Sequence, residues 1–284
     1  MLKRTLTGAI YVATIVGFFF LRNYVDLRLF NILILFFCAV GTFEVARAIK
    51  KYLYNGNFAL AMICGALYVP LFCVFEYFTA FRGGYACLIF GGTLIVYQAV
   101  LTLIKKAKFT DFCVNALPFL YPSVLLLSVF SANVLAHGFI CLLLIFVISP
   151  CSDTFAYLVG MSYNKIRKGK AKKMCPRLSP KKTWAGAIGG ILGGIVGAII
   201  VYFAVDKTAI AAIAKISVFA AFIIIGAVAS VLTEIGDLFE SYIKRKVGIK
   251  DMGRIMPGHG GVMDRIDGMS FAAVFIYFMF LLFL

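Results

Sequence analysis

"AGAIGGILGGIVGA", residues 185–198, decides how this chain is read. Glycine recurs through the run and no charged side chain interrupts it. Glycine-rich turns in soluble dinucleotide-binding proteins follow a strand. Here no strand pattern precedes the run, and the run itself is apolar. The reading is a helix in lipid whose small residues let a neighbouring helix approach closely.

The rest of the chain agrees. Its 284 residues are 63% hydrophobic and 14% charged, with a mean hydropathy of +0.99. A soluble domain is about half apolar and a quarter charged. Apolar runs long enough to cross a bilayer as helices recur at about 5–21, 29–49, 57–75, 84–104, 112–131, 136–157, 184–205, 213–235 and 268–284. They are continuous rather than alternating, which indicates helices and not a barrel. The expected fold is therefore all-α, a polytopic membrane protein with about nine transmembrane helices. Pro118 and Pro122 in the fifth run and Pro150 in the sixth predict kinks. Lys3 and Arg4 give the first run a basic start, but no small-x-small cleavage site follows, so the run is read as a retained helix.

Charge sets the expected orientation. With a cytoplasmic N-terminus, only Arg22, Arg28, Arg82, Lys207 and Lys215 of the 28 Lys and Arg fall on the outer side. The positive-inside rule favours that arrangement. The formal charge of +16 follows from this bias and suits anionic headgroups, so no nucleic-acid partner is expected. The eight cysteines form no C-x-x-C pair and lie mostly in apolar runs, where they act as small apolar residues.

Two organisational halves are expected: residues 1–135, spans joined by short loops, and residues 136–284, a catalytic region with polar connections at 158–183 and 236–267. Both connections fall on the cytoplasmic side. Only 12 acidic residues exist, and several stand at span edges: Asp153, Glu234, Asp237, Asp251, Asp264 and Asp267. A carboxylate at a span edge is costly and usually faces a cavity or a partner. If 231–246 is helical, Glu234, Asp237, Ser241 and Arg245 share one face. Asp264 and Asp267 repeat the three-residue spacing, where a helix N-terminus alone already favours acid. Hard divalent cations take oxygen ligands, basic side chains hold phosphates, and glycines let backbone N–H groups approach them. "PGHGG" (257–261), followed by Asp264 and Arg265, thus reads as a phosphate and metal site.

At these residues the chain resembles the phosphatidate cytidylyltransferases, or CDP-diacylglycerol synthases. "SYIKRKVGIKDMGRIMPGHGGVMDRID" (241–267) follows that family's motif at Ser241, Lys244, Arg245, Lys250, Asp251, Pro257, His259, Gly260, Gly261, Asp264, Arg265 and Asp267. "GDLFE", "DTFAYLVG" from Asp153 and "SPKKTWAGAIGG" from Ser179 fit too. The first half matches only as a set of spans. Met256 stands where Leu, Ile or Phe is usual, and Ala185 where Glu is common.

The resemblance implies that CTP and phosphatidic acid give CDP-diacylglycerol and pyrophosphate, with the site open to the cytoplasm and the inner leaflet. It implies a metal at Asp237 and Asp264, Mg²⁺, with a second cation such as K⁺ alongside. Ser241 would support the metal or phosphate shell. Lys244, Arg245, Lys250 and Arg265 would neutralise phosphates, and Asp267 would orient a base or cation. Asp251 belongs to the same catalytic set. His259 is a turn or phosphate contact, since a phosphate monoester is already ionised near neutral pH. Lys181, Lys182, Gly260 and Gly261 are candidate substrate contacts. A homodimer is compatible with all of this. Two rival readings are a CTP-dependent lipid kinase, which would release CDP, and a transporter with an intramembrane ion site. Transporters often carry internal repeats, and none is evident.

Overall fold

The computed structural model describes residues 2–78, 83–206, 208, 211, 216–258 and 260–283. Among them, nine segments are helical, long and apolar enough to cross a membrane, as the hydropathy pattern predicts. The chain divides into two compact units, residues 1–134 with 247–266, and residues 135–246 with 267–284.

The first unit holds α1 (Leu2–Tyr24), α2 (Phe30–Ala48), α3 (Asn57–Phe78), α4 (Gly83–Ile104), α5 (Phe109–Leu120) and α6 (Ser123–Asn133). α5 and α6 together make one predicted span. The span breaks at Tyr121–Pro122, where proline cannot donate the next helical hydrogen bond. Pro118 stays inside α5. α2 is the central helix: Phe30, Ile34, Phe37 and Val45 are fully or almost fully buried. Gly65 of α3 packs directly on Thr42, Gly41 packs on Pro122, and Thr42 Oγ1 lies 3.1 Å from Ser123 Oγ. Polar knots tie the helix ends. Arg22 Nε donates to Asn133 Oδ1 at 2.7 Å, and Asn133 Nδ2 donates to Asn31 Oδ1 at 3.0 Å. Such buried amides are stable because each finds a partner.

The unit's second segment is a glycine-punctuated loop ending at α10 (Met263–Phe283). Gly258 and Gly260 have φ of +81° and +88°, a region that excludes most side chains. They let the chain turn back so that Met256 N donates to Gly260 O at 3.0 Å.

The second unit holds α7 (Gly138–Ile166), β1 (Lys173–Cys175), β2 (Ser179–Thr183), α8 (Trp184–Ala204), α9 (Val218–Val247) and α10 from Asp267 onward. The glycines of 185–198 do what the sequence predicts. Gly189 and Gly193 lie against Val159, Phe155 and the Cys151 carbonyl of α7, while Gly194 faces Gly226 and Ser230 of α9. Their four-residue spacing puts each set on one side of α8. The antiparallel pair β1–β2 is a small addition to the all-α plan. It ends at Thr183, whose Oγ1 accepts the Gly186 N–H at 3.0 Å and caps α8. The helices also outrun their lipid-crossing stretches. α7 reaches Ile166 and α9 reaches Val247, because backbone hydrogen bonding continues after apolar side chains stop.

Candidate active site

α9 runs unbroken through 231–246, so the shared face expected of Glu234, Asp237, Ser241 and Arg245 exists. The same face carries Glu240 and Lys244. Gly236 is the reason carboxylates gather here. A Cβ on it would lie 2.7 Å from the Asp267 carbonyl and 2.9 Å from Gly268 Cα. Gly268 in turn packs on Thr233. Two glycines therefore let α9 and α10 touch along their backbones and bring Asp267 beside α9.

The result is a cluster of Asp237, Glu240 and Asp267, each offering an oxygen within 4.8 Å of the others. Glu240 is completely buried. Two lysines offset the charge: Lys182 Nζ sits 2.6 Å from Asp237 Oδ2, and Lys244 Nζ 2.6 Å from Glu240 Oε2. Buried carboxylates need such compensation, since unpaired charge is strongly penalised away from water. Three oxygens of hard character in this space match the donor set of Mg²⁺, which takes carboxylates together with waters and phosphate oxygens. The residues present therefore fit a divalent cation.

Lys182 also lines a cavity of about 340 Å³. Asp153, Asn164, Lys173, Lys181, Thr183 and Glu234 contribute to its wall. Asn164 Oδ1 and Glu234 Oε1 are buried there without a hydrogen-bond partner among the described residues. Buried polar atoms are almost always paired in a protein at rest, so these two suit a polar ligand. The hairpin delivers Lys173, Lys181 and Lys182 to one wall, beside the N-terminus of α8, whose dipole also favours an anion.

The remaining candidates divide as follows. Ser241 and Lys244 are buried on α9, Lys244 in its pair with Glu240. Arg245 is exposed, and its Nε donates to the Leu178 carbonyl at 3.3 Å. Lys250, Asp251 and Arg265 are exposed in the first unit. Gly260 and Gly261 stand in the glycine loop beside Asp264, whose Oδ2 accepts from Met252 N at 3.0 Å and Gly261 N at 2.7 Å. His259 lies outside the described residues.

Three charged residues of note were not among the sequence candidates. Glu240 was legible as one more acid three residues after Asp237. Lys173 had no local signal beyond the basicity of its loop. Glu44 of α2 is the third. It is 1% exposed, and accepts from Val262 N at 3.2 Å and Met263 N at 2.8 Å. Its only sequence sign is an acid within an apolar run.

Comparison with known proteins gives the following. A model of the cytidylyltransferase family matches residues 2–283. A phosphatidate cytidylyltransferase of Brucella abortus biovar 1 is 36% identical over 140 residues, 49% of this chain and 46% of the relative. That of Thermotoga maritima is 35% identical over 130 residues, 45% of this chain and 44% of the relative. That of Haemophilus influenzae is 35% identical over 145 residues, 51% and 47% of the two chains. The chain spans about half the length of the curated relatives it matches.

Proposed function

Because the chain belongs to the cytidylyltransferase family, we propose that it is a phosphatidate cytidylyltransferase, converting CTP and phosphatidic acid to CDP-diacylglycerol and pyrophosphate. One observation carries this reading: Lys182 is shared between a lysine-lined cavity and a three-carboxylate cluster. A nucleotide triphosphate lying in that cavity would meet the carboxylates at its phosphate end.

In the reaction an oxygen of the lipid phosphate bonds to the α-phosphorus of CTP. The bond from that phosphorus to the bridging oxygen breaks, and pyrophosphate leaves with the electron pair. Transfers of this kind depend on positioning and on neutralising charge. Lys173, Lys181 and Lys182 would hold the phosphates, with Lys182 exchanging Asp237 for the incoming anion. Asp237, Glu240 and Asp267 would hold Mg²⁺, which supplies charge neutralisation at the phosphates when bound. Asp264, whose Oδ2 already serves two backbone N–H groups, is proposed to ligate a cation as well, and K⁺ is the candidate for a second one. Arg245, Lys250 and Arg265, all exposed, are proposed to neutralise phosphate charge, the role the family motif implies for them. The test is purified protein with phosphatidic acid, CTP and Mg²⁺. CTP labelled at the γ-phosphate should yield labelled pyrophosphate. A labelled lipid with release of CDP would instead identify a lipid kinase.

Two expected results follow from this assignment. Lys182→Gln removes a charged partner for phosphate, a contact worth a factor of about ten or more in binding. It should raise the KM for CTP by about that factor, whereas Asp111→Asn, in a helix cap of the first unit, should leave KM unchanged. An unaltered KM in Lys182→Gln would remove the lysine from the nucleotide site. The basic connections are proposed to face the cytoplasm. A cysteine replacing Lys173 should resist a membrane-impermeant thiol reagent in intact cells and react after permeabilisation. Labelling in intact cells would invert the topology.

A further inference from the structure

We infer that Glu44 is a positioning residue that holds the glycine loop, residues 251–258 and 260–262, and the first turn of α10 in their working shape. The inference rests on the reading under Proposed function for its catalytic consequence. A buried carboxylate in a helix apolar enough to cross a membrane is expensive unless it is paired. Here its two oxygens take different backbone groups, Oε1 the Val262 N–H and Oε2 the Met263 N–H. Those groups open α10, where helical N–H donors have no partner in their own helix and the dipole favours negative charge. Helices are usually capped by a neighbouring residue in sequence. This one is capped from 218 and 219 positions away.

The loop is shaped around that carboxylate. A Cβ on Gly253 or on Gly261 would overlap the Glu44 carboxyl group. Glycine at both positions thus makes room for the acid, which explains two loop glycines whose φ is not positive. The neighbouring N–H of Gly261 goes to Asp264 Oδ2. Three successive amides, 261 to 263, are therefore divided between a local and a remote carboxylate. Asp264 and Arg265 leave the backbone at the end of this clamped stretch. Glutamine would keep the shape of Glu44 but turn an NH₂ group towards one of the amides, losing a bond and opposing two donors.

The experiment compares wild type, Glu44→Gln, Glu44→Ala, Gly253→Ala and the double variant Glu44→Ala with Gly253→Ala, all in lipid nanodiscs. Two readouts are taken: amide hydrogen exchange over 260–264 and steady-state kinetics. Glu44→Gln should exchange about tenfold faster over 260–264. Its kcat should fall about tenfold or more, with the KM for CTP within about twofold of wild type and the thermal midpoint of the bundle nearly kept. Gly253→Ala should behave alike, because its methyl group displaces the acid. The double variant should be no worse than Glu44→Ala alone, since the clash has gone. Wild-type exchange in Glu44→Gln, additive losses in the double variant, or faster exchange with unchanged kcat would each overturn the inference. If Glu44→Gln does not accumulate, Gly253→Ala with and without Glu44→Asp decides, because the shorter acid must restore part of the loss. Faster exchange beside a wild type that makes no CDP-diacylglycerol would overturn the proposed reaction and leave the clamp standing.

Discussion

Asp237→Asn and Asp267→Asn should each lower CDP-diacylglycerol synthesis by at least about a hundredfold, the scale on which even outer partners of metal ligands act. Asparagine keeps the shape of aspartate and removes the charge, so the change falls on the ligand property and not on packing. Asp237 is half-exposed, and Asp267 is held by Gly268 N at 2.8 Å through the oxygen Oδ1. Neither substitution opens a cavity, and both variants should purify as wild type does. Three carboxylates within 4.8 Å repel one another, so losing one charge lowers that repulsion, which at Asp237 offsets the lost pair with Lys182. Stability should therefore be kept or slightly raised while activity is lost, which is the mark of a site built for a cation. Because the residues serve one unit, the double variant should be scarcely worse than either single one. Near-normal synthesis with an unchanged Mg²⁺ requirement in Asp237→Asn would sink the assignment.

The extent to which the sequence could be read differs by kind of signal. Lipid-crossing helices announce themselves by long apolar composition, so their number and approximate place were legible. Their ends were not. Hydropathy marks where apolar side chains stop, whereas α7 continues through Asn164 and Lys165 and α10 begins at Met263, ahead of the apolar run. The hairpin of β1 and β2 was invisible because strands of three and five residues rich in lysine show no alternation. The carboxylates of α9 were legible through helical spacing, which is local. Glu44 was not, because its partners at Val262 and Met263 leave no mark near it in the chain. Asp264 was legible as a candidate acid. Its bonds to Met252 N and Gly261 N, however, come from a loop fold that only positive-φ glycines make possible.

Packing gives the other large effect. Gly193→Leu should abolish accumulation of monodisperse protein in detergent, and Gly193→Ala should already lower its thermal midpoint. The reason is contact with atoms that cannot turn aside. A Cβ at Gly193 would lie 2.5 Å from Phe155 Cβ and 2.6 Å from the Cys151 carbonyl oxygen, both on α7. Real Cβ contacts are not that close, so α8 must retreat along its whole length against α7. In lipid, helices have no hydrophobic drive to associate and depend on packing and interhelical contacts. Lost contact is therefore not recovered by burying apolar surface elsewhere. Overpacking in cores costs about 1–3 kcal/mol for small additions, and leucine adds a branched side chain where a methyl group already collides. Gly17→Ala and Gly92→Ala are the matched controls. Each is a helical glycine whose added Cβ meets nothing within 4 Å, so alanine should gain up to about 1 kcal/mol from helix propensity alone. The same substitution must then shift thermal midpoints in opposite directions, down at Gly193 and level or up at Gly17 and Gly92. A Gly193→Ala midpoint at or above that of wild type would show that α7 and α8 do not meet as closely as these glycines require.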